Sequence, residues 1–272
     1  MKVAAIQMVS AASVQANLDS ARALLEEAAA AGAELAVLPE YFCLMGRKDT
    51  DKLAVSERLG EGPVQSFLAQ AARDLKLWLV GGTLPLATGD KGHVLNTSLV
   101  YSPQGGRVAR YDKIHLFKFD NGREQYDESS VIARGSQPQA FELPSRDGRT
   151  WRVGMSVCYD LRFPELYRSL QADVLLAPSA FTHVTGQSHW DLLVRTRAVE
   201  NLAFMIAPAQ GGLHENGRRT WGHSMVVDPW GTVLAQRDEG AGVVVADLDA
   251  ARQAQLRQQL PALEHRVLGT GR

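Results

Sequence analysis

The chain has 272 residues, and its 29 basic and 30 acidic side chains leave a formal net charge of −1. That balance excludes the broad basic face needed to hold nucleic acid or an anionic membrane, so any partner must be recognised locally. With 45% hydrophobic and 22% charged residues the composition is that of a soluble globular protein able to bury a core. The two cysteines, Cys43 and Cys158, are too few for a disulfide framework and fit a reducing compartment.

Residues 3–8 read as a buried strand rather than a secretion signal, because Gln7, Ser10, Gln15 and Asn17 interrupt the apolar run. No stretch reaches the roughly 20 apolar residues that span a bilayer, so a cytoplasmic protein is expected. Residues 14–31 place Leu18, Ala21, Leu24, Leu25 and Ala28 on one helical face and stop at Gly32. A strand follows over 35–38. Gly62-Pro63 opens a second helix toward Leu75, and 77–80 form the next strand. Residues 95–101 and 107–111 read as an antiparallel pair around a Gly-Gly turn. The polar stretch 118–139 has no clear period and is expected to be a long surface loop.

The second half predicts strands over 152–157, 174–177, 204–207, 223–227 and 243–246, and helices over 164–170, 189–201 and 249–259. No Pro-, Gly- or Ser-rich linker and no internal repeat divides the series, so one domain over 1–272 is expected. Short strands alternating with helices predict an α/β protein with mixed sheets covered by helices.

Three residues directly follow predicted strands: Glu40 in Leu-Pro-Glu, Lys113 in Tyr-Asp-Lys-Ile-His-Leu-Phe, and Cys158 in Ser-Val-Cys-Tyr-Asp. Carboxyl ends of strands are where open α/β sheets handle ligands. Taken singly, Glu40 and Lys113 read as solvated charges, and a free cysteine is most often a small apolar filler. The setting of Cys158 favours chemistry: it ends a strand, precedes a turn and helix whose N–H groups would favour a thiolate, and is followed by Tyr159, Asp160 and Arg162. Cys43, between Phe42 and Leu44, reads as packing. As a trio the three residues are coherent, with a carboxylate to take the thiol proton, a sulfur to attack a carbonyl or nitrile carbon, and an ammonium to stabilise the oxyanion.

Other constellations fail. Gly154-Met155-Ser156-Val157-Cys158 lacks the closing glycine of a serine-hydrolase elbow. The seven histidines show no metal-binding spacing, and no glycine-rich phosphate loop occurs, so neither a metal nor a cofactor is expected. Trp190, Leu193, Val194 and Arg197 read as a stripe packing a helix onto a sheet.

Three motifs together, Leu38-Pro39-Glu40, residues 111–117 around Lys113, and Cys158-Tyr159-Asp160-Leu161-Arg162-Phe163-Pro164-Glu165, resemble the nitrilase superfamily of carbon–nitrogen hydrolases. The resemblance runs from residues 3–7 to residues 260–266. It implies a four-layer α-β-β-α sandwich with mixed sheets and a homodimer or higher homo-oligomer. It further implies Glu40 as general base, Lys113 as oxyanion stabiliser and Cys158 as nucleophile. A second glutamate from the loop after the lysine is best matched by Glu128, with Glu124 as the alternative.

Residues 178–182, 195–201 and 222–231 are similar to the Nit branch of that superfamily. The likeness implies a cysteine-dependent amidase acting through a thioester on a small 2-oxo-acid amide, with deaminated glutathione as first candidate and ω-amides of 2-oxo acids second. A nitrilase and a catalytically silent binding relative are the alternatives. The same resemblance implies that Arg162 pairs the 2-oxo carboxylate and that Tyr159, Phe181 and Thr185 line the site. The competing reading of Arg162 is a structural pair with Asp160 or Glu165. Tyr41 and Leu44-Met45 depart from the relatives' pattern and leave the pocket floor open.

Overall fold

Period-two alternation decides which side chains meet in this chain. In the computed structural model, which describes residues 1–268, the first strand sends Val3 and Ala5 to one side and Ala4 and Ile6 to the other, and each side is covered. The last four residues of the unit expected over 1–272 lie outside the described residues.

The first half comprises β1 (Lys2–Gln7), α1 (Val14–Ala30), β2 (Leu35–Val37), α2 (Asp51–Ala54), α3 (Pro63–Leu75), β3 (Trp78–Val80), β4 (Leu84–Ala87), β5 (Val94–Tyr101) and β6 (Arg107–Asp112). A short hairpin, β7 (Lys118–Asp120) and β8 (Gln125–Asp127), and the two-residue β9 (Ile132–Ala133) follow. The second half comprises β10 (Gln139–Pro144), β11 (Thr150–Met155), α4 (Pro164–Leu170), β12 (Val174–Leu176), α5 (His183–Asn201) and β13 (Phe204–Ala207). It closes with β14 (Gly211–Leu213), β15 (Arg219–Trp221), β16 (Ser224–Val227), β17 (Val233–Arg237), β18 (Gly242–Asp247) and α6 (Ala250–Gln259).

Two mixed sheets result. The first runs β18-β1-β2-β3-β5-β4, with β6 and β9 also paired to β5; the second runs β10-β11-β12-β13-β16-β17. They pack face to face, Val3, Ala5, Leu35 and Val37 of one meeting the core of Val153, Met155, Leu175 and Met205 from the other. Helix α1, capped by the Ser13 hydroxyl, buries Leu18, Ala21, Leu25 and Ala28 against the outer face of the first sheet, beside Val64 and Leu68 of α3. Trp190, Val194 and Ala198 of α5 and Tyr167 of α4 cover the second. Strands β12 and β13 are buried at every position, which explains their unbroken apolar sequence. The expected four layers are therefore present.

The structure differs from the sequence reading in three places. Helix α5 starts at His183, six residues before the expected 189, with Thr182 as its cap. Its first turns carry no apolar stripe, and Gly186 is there to let Trp221 approach: a Cβ would stand 2.2 Å from the Trp221 Cβ. The stretch 118–139 is not one loop but the β7–β8 hairpin, a 3-10 turn at Glu128–Ser130 and β9. Strands β4, β10, β14, β15 and β17 and the single-turn α2 were not anticipated, being short or half-exposed. Among the described residues no helix is long and apolar enough to cross a membrane.

Candidate active site

Glu40 lies just beyond β2, whose pairing continues through the Leu38 N–H to the Val80 carbonyl at 3.0 Å. The chain bearing Glu40 passes so close to the end of β3 that a Cβ on Gly82 (φ +51°) would stand 2.1 Å from the Pro39 carbonyl oxygen. Lys113 follows β6 directly, with its N–H on the Asn96 carbonyl and its own carbonyl accepting from the Gly135 N–H, both at 2.9 Å. Gly135 is equally obligatory, since a Cβ would stand 2.0 Å from the Asp112 carbonyl oxygen. Strand β6 is antiparallel to β5, which is antiparallel to β3, which is parallel to β2. Glu40 and Lys113 therefore leave the first sheet at the same end. Cys158 comes from the second sheet: it follows β11 and opens a 3-10 turn, Cys158–Arg162, in the left-handed region at φ 50°.

The three side chains meet. The fully buried Lys113 Nζ donates to Glu40 Oε1 at 2.8 Å and to both oxygens of Glu128 at 2.8 and 2.9 Å. Asn96 Nδ2 holds Glu40 Oε1 at 2.9 Å. Glu128 is held by the Tyr41 hydroxyl at 2.7 Å and the Phe117 N–H at 2.7 Å. Tyr41, whose φ is 57°, thus serves as a clamp on the second glutamate.

Burial penalises both the Lys113 ammonium and the Glu128 carboxylate, but their mutual attraction reverses the effect. Lys113, beside Glu128 and Glu40, is held above its ordinary value, and Glu128 below its own. The Cys158 thiol is pushed well up, first by burial and then by the Glu40 carboxylate, against the pull of Lys113 and the Ala180 backbone. This corrects the expectation of a thiolate favoured by helix N–H groups: α4 begins only at Pro164, and the sulfur is buried beside a carboxylate. Cys43 is buried and its thiol is pushed up to about 12, as desolvation of a packing residue requires.

A cavity opens at this cluster, lined by Glu40, Glu128, Cys158, Tyr159, Arg162, Phe181 and Thr185, together with Phe117, Ala180, Thr182 and Arg218. Lys113 is not in its wall but contacts both Glu40 and Glu128, which are, and Glu124 is not in it either. Glu128, not Glu124, reaches the lysine. Arg162 forms no pair with Asp160 or Glu165; it lies over the Tyr159 ring at 5.7 Å and contacts His189 Nδ1 at 3.1 Å. Phe181 packs edge-on against Trp190, and the Thr185 hydroxyl bonds that of Thr182 at 2.9 Å. Ser156 is spent elsewhere, on the Leu176 carbonyl at 2.7 Å and the Tyr167 hydroxyl.

Besides Asn96, the sequence reading gave no site role to Asp160 or Arg218. Asp160, fully buried, accepts from the Tyr111 hydroxyl at 2.7 Å, the Val157 N–H at 2.8 Å, and the His115 N–H and Nδ1 at 3.1 and 2.7 Å. It ties the turn carrying Cys158 to the segment carrying Lys113, and His115 in turn stacks on Phe163 at 3.6 Å. From the sequence, Asp160 reads only as one of the residues after Cys158 and as a candidate partner of Arg162. Arg218 enters from the β14–β15 hairpin, far away in sequence and without a motif of its own.

Residues 2–258 match the family model described as "Carbon-nitrogen hydrolase". The chain is 39% identical over 97% of its length, and 97% of the relative's, to a deaminated glutathione amidase from Synechocystis. Its structure is similar to that of the C. elegans NitFhit protein, with a TM-score of 0.88 and 34% identity, covering 97% of this chain but only 64% of that one. It is also similar to Saccharomyces cerevisiae Nit3, a member of branch 10 of the nitrilase superfamily, with a TM-score of 0.83 and 30% identity over 96% of this chain and 94% of that one.

Proposed function

Because this chain belongs to the carbon–nitrogen hydrolase family and is a hydrolytic amidase, we propose that its substrate is the amide of a small 2-oxo acid, with deaminated glutathione first. The observation that carries the reading is the Lys113 ammonium held at 2.8 Å from Glu40, beside a cavity that also exposes Cys158 and Arg162.

Glu40 takes the Sγ proton as the sulfur attacks the amide carbon, so the S–C bond forms as the carbonyl π bond opens onto oxygen. Lys113 Nζ meets that oxyanion; its two contacts to Glu128 are interchangeable, so one N–H can turn to the substrate without leaving either carboxylate unpaired. Glu40 then passes its proton to nitrogen, the C–N bond breaks, and the amine leaves a thioester. Water, deprotonated by Glu40, attacks the thioester carbon; the acid departs and Sγ recovers its proton. A thiol that stays protonated at rest makes this base indispensable. Glu128 orients Lys113, and Arg162, with no carboxylate partner among the described residues, receives the 2-oxo carboxylate. Tyr159, Phe181 and Thr185 shape the acyl pocket.

We further read the protein as a single cytoplasmic hydrolase unit that forms a homodimer. Two buried, unpaired cysteines support the compartment, and the exposed Val184, Leu192 and Val199 of α5 with Trp230 offer an apolar face for the partner copy. The test of the chemistry is direct. Incubation with deaminated glutathione should release 2-oxoglutarate, and rapid quenching should trap an acyl adduct on Cys158 by intact mass. Undiminished turnover in Cys158→Ala would overturn the mechanism, and turnover of matched nitriles but not amides would replace the substrate class.

A further inference from the structure

Arg218 lines two spaces at once: the cavity at Cys158 and a more open cleft whose wall carries Arg47, Lys48, Lys52 and Tyr126. Its guanidinium is oriented but little used. Nη2 donates to the Ala180 carbonyl at 3.2 Å, Nη1 meets only the Met45 sulfur at 4.0 Å, and the plane lies over the Tyr126 ring at 5.1 Å. Nε is buried without a partner, and no carboxylate pairs with this arginine among the described residues. A guanidinium carries five N–H donors in a rigid fork that matches a carboxylate, so Arg218 holds unspent capacity at the boundary between the reacting centre and the open cleft.

The direction of the reaction decides what faces it. The acyl half stays on sulfur while the amine must leave, so the amine half occupies the side that opens outward, and Arg218 stands on that side. Arg162 does not line the cleft, which leaves it for the acyl half. The cleft itself is cationic: Lys52 pairs with Asp49 at 3.0 Å, whereas Arg47 and Lys48 give only their backbone N–H groups to Asp51, and their side-chain cations pair with no carboxylate among the described residues. A primary amide would release ammonia, which uses none of this.

Resting on the amidase reading above, we propose that Arg218 is a specificity residue that binds a carboxylate on the leaving amine.

The test compares the γ-amides of 2-oxoglutarate with glycine and with glycinamide, which differ in the charge of the leaving amine alone, on the full-length protein and its Arg218→Met and Arg218→Lys variants. The wild type should prefer the glycine compound in kcat/KM by roughly ten- to a hundredfold, mainly through KM, as expected for a charge-assisted hydrogen bond. Arg218→Met should bring that ratio to about one, and Arg218→Lys should keep part of it. A wild-type ratio near one, or a ratio that survives in Arg218→Met, overturns the proposal while leaving the amidase reading standing. Hydrolysis of neither compound, nor of the primary amide 2-oxoglutaramate, means that the amidase reading has failed and this inference with it.

Discussion

Cys158 is held at φ 50°, a conformation that costs a non-glycine residue about 1–2 kcal/mol, and its sulfur is buried beside a carboxylate rather than a helix terminus. Its reactivity therefore depends on Glu40 removing a proton at the moment of attack. Glu40→Gln should lower amide turnover by roughly 10² to 10⁴-fold, the usual worth of a general base, whereas iodoacetamide should still label Cys158, because removing the carboxylate takes away one of the two effects that push the thiol up, burial being the other. Steady-state kinetics and peptide mass mapping would check both halves; retention of more than a tenth of the turnover would rule out the base role. Lys113→Met strands the buried Glu40 and the partly buried Glu128 carboxylates and should cost about 3–5 kcal/mol of stability by denaturant titration, with loss of activity. Glu40, Lys113 and Cys158 were legible because each residue type sits where a strand ends. Asp160 and Arg218 were not, since what makes them matter is a partner some 45 residues away for one and the far half of the chain for the other.

Elements place these side chains through close backbone approaches. The β2–Glu40 and β6–Lys113 segments pass Gly82 and Gly135 at distances that admit no Cβ. Gly135→Ala should shift the Asp112–Lys113 backbone and lower kcat by about 10²-fold, the scale of an ångström-sized misplacement, while circular dichroism still reports native secondary structure. Asp160→Asn tests the tie between the sheets: it should lower kcat at least tenfold with little change in KM, and destabilise the fold by about 2–4 kcal/mol through its weakened buried hydrogen bonds. Strong periodicity made α1, α3 and the antiparallel β5–β6 pair readable. The start of α5 was not, because Thr182 and Gly186 are chosen for capping and for the approach of Trp221 rather than for an apolar stripe. The β7–β8 hairpin was missed because its exposed, three-residue strands leave no alternation to read.

For the molecule as a whole, the pKa shifts predict an asymmetric pH profile of stability. Glu128 lies below its ordinary value, so its contribution persists above about pH 4.3 and is lost only as pH falls through the lowered value. Lys113 lies above its ordinary value, so its contribution holds below about pH 10.4 and is lost as pH rises beyond. Both buried thiols bind their protons more tightly when folded, Cys43 up to about 12. Stability should then be flat from about pH 5 to 8 and fall above about 8.5 by roughly 1.4 kcal/mol per pH unit for each thiol. Urea titrations across that range would show it, and Cys43→Ala should remove about half of the alkaline slope.

The joining of Glu40 and Lys113 from one sheet with Cys158 from the other also bears on how activity is acquired during folding. The first sheet is complete only when β18, near the end of the chain, pairs with β1. Hydrolysis cannot begin when either sheet has formed alone. In a refolding experiment the far-ultraviolet signal should recover before turnover, and the lag between the two would time the docking of the sheets, making the enzyme a reporter of its own final assembly step.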